Sequence, residues 1–219
     1  GGNVMRAATM KALLIATARE CGSDDGPDYS YGWGMIDAVK AADYIDNNEA
    51  EVIIREQSLQ NGKNYTLNIN SSGDAPLVAT IVWTDPAASP LSPQLDPNDA
   101  RLINDLDLRL ENASGTEYDP WILDPSNPSA AATTGDNKVD NVEQVFIANP
   151  GAGQYKLTVS HKGTLSTSSQ NFSIVISGLR GNDSTVYCND TTLLTTNFGS
   201  FTDGSGNNRY GINSNCSWL

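Results

Sequence analysis

The chain has 219 residues, enough for one or two domains with a buried core. It carries 13 Lys plus Arg against 26 Asp plus Glu, a net charge of −13 with a pI near 4.2. Such a surface repels phosphate backbones, so no nucleic-acid partner is expected, and no apolar run approaches the roughly 20 residues of a membrane span.

Residues 1–46 read as helix, loop, helix. Leu13, Leu14, Ala16, Thr17 and Ala18 make the first helix apolar nearly all round, as in a helix buried within a larger α/β domain. Gly22, Gly26 and Pro27 are its stop signals. Gly32 and Gly34 bend the backbone around Trp33, and Asp37 is placed as the N-cap of a second helix. Ala38, Val39, Ala41, Ala42 and Ile45 give that helix an apolar stripe. A piece this small cannot bury its own apolar faces and is expected to be poorly ordered unless it leans on the rest of the chain. Gly1 stands just ahead of helix-like sequence with no signal segment, which reads as a cut end.

From Glu51 the period becomes that of strands. Tyr65, Leu67 and Ile69 alternate with polar neighbours, and so do Leu77, Ala79, Ile81 and Trp83, although Val78 and Val82 make that strand apolar on both faces. A run from Leu102 to Glu111 alternates Leu with Asp, Arg and Glu. Val145 and Ile147, then Tyr155, Leu157 and Val159, then Phe172, Ile174 and Ile176 complete the series. Roughly eight strands separated by Gly, Pro, Asn and Asp clusters predict an antiparallel, jelly-roll-like β-sandwich over residues 51–181. Residues 86–100 and 119–141 are long loops rich in Pro and Asp, of the kind that carries function or is held by an ion.

Within the sandwich, Asp105 and Asp107 lie two apart on one strand, so their carboxylates point the same way about 7 Å apart. Asp136, Asn137, Asp140 and Glu143 offer further oxygens from a neighbouring loop, and Asp85 sits at a third strand end. Calcium takes oxygens of these kinds. The plainer reading pairs the carboxylates with Arg101 and Arg109. The one histidine, His161, continues the inward face of Tyr155, Leu157 and Val159 and reads as structural. Of three cysteines, Cys21 stands alone, while Cys188 and Cys216 share the final segment and are available to pair. Seven Asn-x-Ser/Thr triplets, at Asn64, Asn70, Asn112, Asn171, Asn182, Asn189 and Asn215, lean with the cysteines towards a secreted protein, although an Asn- and Ser-rich surface also produces such triplets by chance.

Two motifs in order, Thr9-Met10-Lys11-Ala12-Leu13-Leu14-Ile15-Ala16-Thr17-Ala18 and Gly32-Trp33-Gly34-Met35-Ile36-Asp37-Ala38, resemble the last two helices of a subtilisin-like catalytic domain. Further on, Trp83-Thr84-Asp85-Pro86, Asn104-Asp105-Leu106-Asp107-Leu108, Asn141-Val142-Glu143-Gln144-Val145 and Asn149-Pro150 with Gly153 and Tyr155 resemble a subtilase branch. That branch carries a calcium-binding β-sandwich directly after the protease domain. Residues 186–219, with Cys188, Gly199-Ser200-Phe201-Thr202-Asp203-Gly204, Tyr210 and Asn215-Cys216-Ser217-Trp218-Leu219, resemble the opening of a CUB domain. The last resemblance implies a Cys188–Cys216 disulfide.

The resemblance implies a serine endopeptidase that acts on protein or peptide substrates, with its catalytic domain upstream in the same chain. It maps no triad residue onto this sequence. The sequence agrees: it has no Gly-Thr-Ser or Gly-x-Ser-x-Gly elbow. The expected division is therefore residues 1–46 as the end of a subtilase domain, 51–181 as the sandwich and 186–219 as the start of a CUB-like module. Calcium is expected at some of Asp85, Asp105, Asp107, Asp136, Asp140 and Glu143. The rival reading is a secreted, non-catalytic adhesion or glycan-binding sandwich. It would require a row of exposed aromatics, and Trp83, Trp121 and Trp218 are widely scattered.

Overall fold

The computed structural model describes residues 4–49, 51–93, 95, 99–181, 199–202 and 208–211. The chain divides into a compact unit from Gly1 to Asn182 and a second from Asp183 to Leu219. In the second unit, β11 (Gly199–Thr202) pairs antiparallel with β12 (Asn208–Gly211).

The first unit holds two helices, α1 (Ala7–Thr17) and α2 (Ala38–Asp46), followed by strands. These are β1 (Ile53–Gln60), β2 (Tyr65–Ser71), β3 (Leu77–Trp83), β4 (Leu106–Asn112), β5 (Glu117–Tyr118), β6 (Trp121–Ile122), β7 (Thr133–Thr134), β8 (Val142–Ile147), β9 (Gly153–His161) and β10 (Ser169–Ser177). Two antiparallel four-stranded sheets run in the orders β1-β10-β3-β8 and β2-β9-β4-β5, and β6 pairs with β7. The inward residues of the two sheets meet in one core. Ile81, Leu108, Leu157 and Ile174 are fully buried there, with Phe172 and Trp83 filling one end. The Trp83 indole N–H is not left bare, since it donates to the Asn104 carbonyl at 3.0 Å.

The helices do not stand apart. Ala8, Ala12 and Ala16 recur every four residues along α1, and their small side chains let the helix lie close on the outer face of the first sheet. There they meet Val82, Val142 and Val175 in a second core. This is the physical reason that β3 is apolar on both faces. A polar bolt fixes the register: the Thr9 hydroxyl meets Glu56 Oε1 at 2.5 Å and Ser173 Oγ at 2.8 Å. The helical segment and the sandwich thus fall within one compact unit.

The glycine turn behaves as its residues predict. Arg19 and Met35 exchange backbone hydrogen bonds at 2.8 Å each way, with Gly34 beside Met35 at φ +93°. A Cβ on Gly34 would collide with the Arg19 carbonyl oxygen, so only glycine fits. Asp37 caps α2 by accepting the Lys40 N–H at 3.0 Å.

Three expectations are corrected. The first helix ends at Thr17, with Ala18 as its C-cap, ahead of the glycines. The stripe on α2 faces outwards, with Val39 and Ile45 exposed and only Ala41 of the helix buried. The strand expected from Leu102 begins at Leu106, because the Asp85 carboxylate takes the N–H groups of Ile103 (2.6 Å) and Asn104 (2.9 Å) that a ladder would need.

Candidate functional site

The carboxylates singled out from the sequence sort into three places. Asp105 precedes β4 and Asp107 lies on it, while β9 runs antiparallel beside them with Leu106 opposite His161 and Asp107 opposite Ser160. The residue after β9, Lys162, continues that ladder by donating its N–H to the Asp105 carbonyl at 2.9 Å. Its ammonium is therefore delivered to the acidic pair. Lys162 Nζ lies 3.2 Å from Asp105, 2.9 Å from Asp107 and 2.5 Å from Asp136, which the loop before β8 brings in.

Arg109, two residues along the same face of β4, supplies the second cation. Its guanidinium reaches Asp119 at 2.8 Å, Asp136 at 3.3 Å and Asp107 at 3.5 Å. Lys162 holds the Asp136 carboxyl at about 2, well below the usual carboxylate range. Burial opposes the charge on Lys162, but its carboxylate partners together hold its ammonium well above the ordinary lysine value. Burial also raises Asp105 despite the lysine. One oxygen of Asp105, Oδ1, is buried without a hydrogen-bond partner.

Glu143 belongs to the same end of the sandwich but does different work. It is fully buried on the inner face of β8, and its Oε2 accepts the Leu108 N–H at 2.5 Å. Burial is the main reason its pKa is pushed up to about 9. Its Oε1 is buried without a partner.

Two expected members are engaged by other groups. Asp85 caps the turn at Ile103 and Asn104, and Asp140 accepts from the Asn137 amide at 3.3 Å. Arg101 is not a partner of the acidic pair: its guanidinium donates to the Ser89 carbonyl. Lys162 takes the place expected of it. Cys188 and Cys216 lie outside the described residues, and Cys21 is a free, half-buried thiol. Among the described residues no group of three or more His, Cys, Asp or Glu side chains is arranged to hold a metal ion. The donor chemistry nevertheless suits a hard cation. Asp105, Asp107 and Asp136 are all oxygen donors, Asp105 Oδ1 is unused, and an ammonium already occupies the centre they share.

A second feature is hidden in the sequence because its parts are far apart in the chain. Trp33, Trp121 and Phe146 line a cleft of about 140 Å³, with Glu20, Asp25 and Lys40 at its polar side. Trp121 stacks on Phe146 (centroids 6.2 Å, 26° between planes) and lies over Gly26, where a Cβ would come within 2.9 Å of the indole. The indole thus pins the 19–34 loop onto the sandwich and is not an open platform for a ligand. Comparison with known proteins gives no family model that matches this chain and no match among curated proteins.

Proposed function

We propose that the chain is the C-terminal portion of a secreted subtilisin-like serine endopeptidase. Its Ser-His-Asp triad would lie upstream of Gly1, and its substrates would be proteins or peptides. The observation that carries this reading is the second face of the helical pair. One face of α1 is seated on the sandwich. On and around α2, Met35, Ile36 and Val39 are 51%, 65% and 73% exposed, and Met10 of α1 is 46% exposed. Exposed apolar side chains on and beside two helices whose sequence resembles the end of a subtilase domain suit burial in the rest of that domain. In this reading α1 belongs to the protease and is bolted to the sandwich through Thr9, Glu56 and Ser173, so the sandwich braces the catalytic domain.

The strand orders β1-β10-β3-β8 and β2-β9-β4-β5 support a jelly-roll wrapping of the sandwich. Calcium is proposed at Asp105, Asp107 and Asp136, where it would take the place of the Lys162 ammonium and supply structural cross-linking, not chemistry. Residues 186–219 are proposed as the start of a CUB-like module with a Cys188–Cys216 disulfide. Reading the coding DNA upstream of Gly1 tests the protease assignment. A Gly-Thr-Ser-like turn opening a helix, with histidine and aspartate codons further upstream, is expected. An upstream frame without that serine turn overturns it.

A further inference from the structure

The β1–β2 connection turns on Asn61 and Gly62, the one Asn–Gly pair in the chain. Lys63 N–H closes the turn on the Gln60 carbonyl at 3.0 Å, with Gly62 at φ +70° and both turn residues exposed. In such a pair no side chain shields the glycine's backbone nitrogen from the asparagine amide. Three hydrogen bonds restrain it here. Gly62 N–H donates to His161 Nε2 at 2.7 Å, Leu165 N–H donates to Asn61 Oδ1 at 2.9 Å, and Asn61 N–H donates to the Ser168 carbonyl at 2.9 Å.

His161 is otherwise hard to account for. Because Nε2 accepts, the imidazole is the neutral tautomer with its proton on Nδ1, and Nδ1 is buried with no partner. A buried N–H left unpaired is costly, so the ring is not placed there to satisfy itself. Among the described residues the hydrogen bond of the ring is the one to Gly62.

We propose that Asn61 is a self-modification site and that His161 is the latch that restrains it. In the reaction the Gly62 nitrogen forms a bond to Asn61 Cγ and closes a five-membered succinimide. The Cγ–Nδ2 bond breaks, and the amide leaves as ammonia carrying the proton lost from Gly62. Water then adds to one of the two imide carbonyls, which leaves an aspartyl or isoaspartyl residue at position 61. One ammonia leaves, one water enters and nothing is oxidised. Ring closure requires the Gly62 nitrogen to give up the proton that it donates to His161, so the reaction breaks that hydrogen bond. His161 is a positioning residue: it ties up the Gly62 N–H and takes no part in the bond making. The isoaspartyl product would lengthen the backbone by one methylene and disturb the tie from Asn61 to Leu165, loosening the turn from the segment between β9 and β10.

The test incubates the full 219-residue chain at neutral pH, folded and in denaturant, and measures ammonia loss at Asn61 by peptide mass spectrometry, with hydroxylamine to trap the succinimide. Asn61 is expected to react ahead of the other asparagines, and more slowly folded than denatured. His161→Ala should speed the folded reaction about fivefold, the factor that one net hydrogen bond is worth. His161→Gln, whose side-chain oxygen can accept the same N–H, should stay near the wild-type rate. An Asn61 that does not react first in the denatured chain overturns the site, and a folded His161→Ala chain no faster than wild type overturns the latch. If His161→Ala does not fold, hydrogen exchange at Gly62 in the wild-type chain decides. Strong protection of that amide supports the latch, and exchange at the rate of an unstructured glycine refutes it.

Discussion

Glu143 on β8 accepts the backbone N–H of Leu108 on β4 at 2.5 Å and so joins the two sheets from within. Leu108 needs that acceptor because β5 is only two residues long and pairs with Leu110 and Glu111 alone. The edge of β4 beyond it is buried and would otherwise leave an amide unsatisfied.

Stability should therefore fall with rising pH. The folded pKa of Glu143 is about 9 against an ordinary 4.5, so between those values the folded chain holds a proton that the unfolded chain has released. The contribution is fully present below pH 4.5 and is lost as the pH rises towards about 9. Melting temperatures across that window should decline by the equivalent of a few kcal/mol. Glu143→Gln keeps an acceptor for Leu108 but has no proton to lose, so its profile should be flat over the same range. A wild-type profile without slope, or a variant that keeps it, contradicts the assignment.

Asp136, through its pairing with Lys162, gives the opposite pH dependence and a handle on the cation question. Asp136 is held at about 2, so its contribution is present above its ordinary 3.8 and is lost as the pH falls towards about 2. Lys162→Met should remove that acid limb. At neutral pH it should also destabilise the chain by about 1–2 kcal/mol, less than a fully buried pair because the lysine is about one-third exposed. If the three carboxylates bind calcium in place of the ammonium, the variant should gain more stability from added calcium than the wild type does. At a hundredfold excess over Kd the gain is about 2.7 kcal/mol. Melting curves of both proteins with calcium and with a chelator make the comparison, and a variant indifferent to calcium rules the site out.

The two turn glycines should separate cleanly. Gly34→Ala drives a methyl into the Arg19 carbonyl at φ +93° and should cost at least about 2–3 kcal/mol. Gly32→Ala, at φ +62° with open space around it, should cost about 1 kcal/mol. Equal losses in thermal melts would mean that the Arg19–Met35 bridge does not order this turn.

Most of the sandwich is legible in the sequence because its strands bury one face, and a period of two is visible without a partner. The apolar double face of β3 is legible too, but its cause is not. Only the structure shows that Ala8, Ala12 and Ala16 cover Val82. The site is half legible for the same reason. Asp105 and Asp107 advertise themselves by spacing, whereas Lys162 reaches them through the β4–β9 register, which a sequence does not print. Glu143 reads as one more surface carboxylate because the amide it serves is exposed only by the shortness of β5. Asp85 is legible as a strand-end carboxylate, whereas its capping of Ile103 and Asn104 is not.

The outward face of α2 is the remaining discriminator between the protease reading and a free-standing module. Ile36 and Val39 are well exposed, so Ile36→Glu with Val39→Lys should change the melting of this chain by no more than about 0.5 kcal/mol per site. The same pair of charges buried against the rest of an α/β domain would each lack a partner, at a cost of several kcal/mol. If the helices end a protease domain, a longer protein carrying the double variant should therefore lose melting temperature and peptidase activity together, while the 219-residue chain is unaffected. Equal tolerance in both contexts would mean that the apolar face meets water in the parent as well, and the helices would then be an appendage of the sandwich and not the end of a protease.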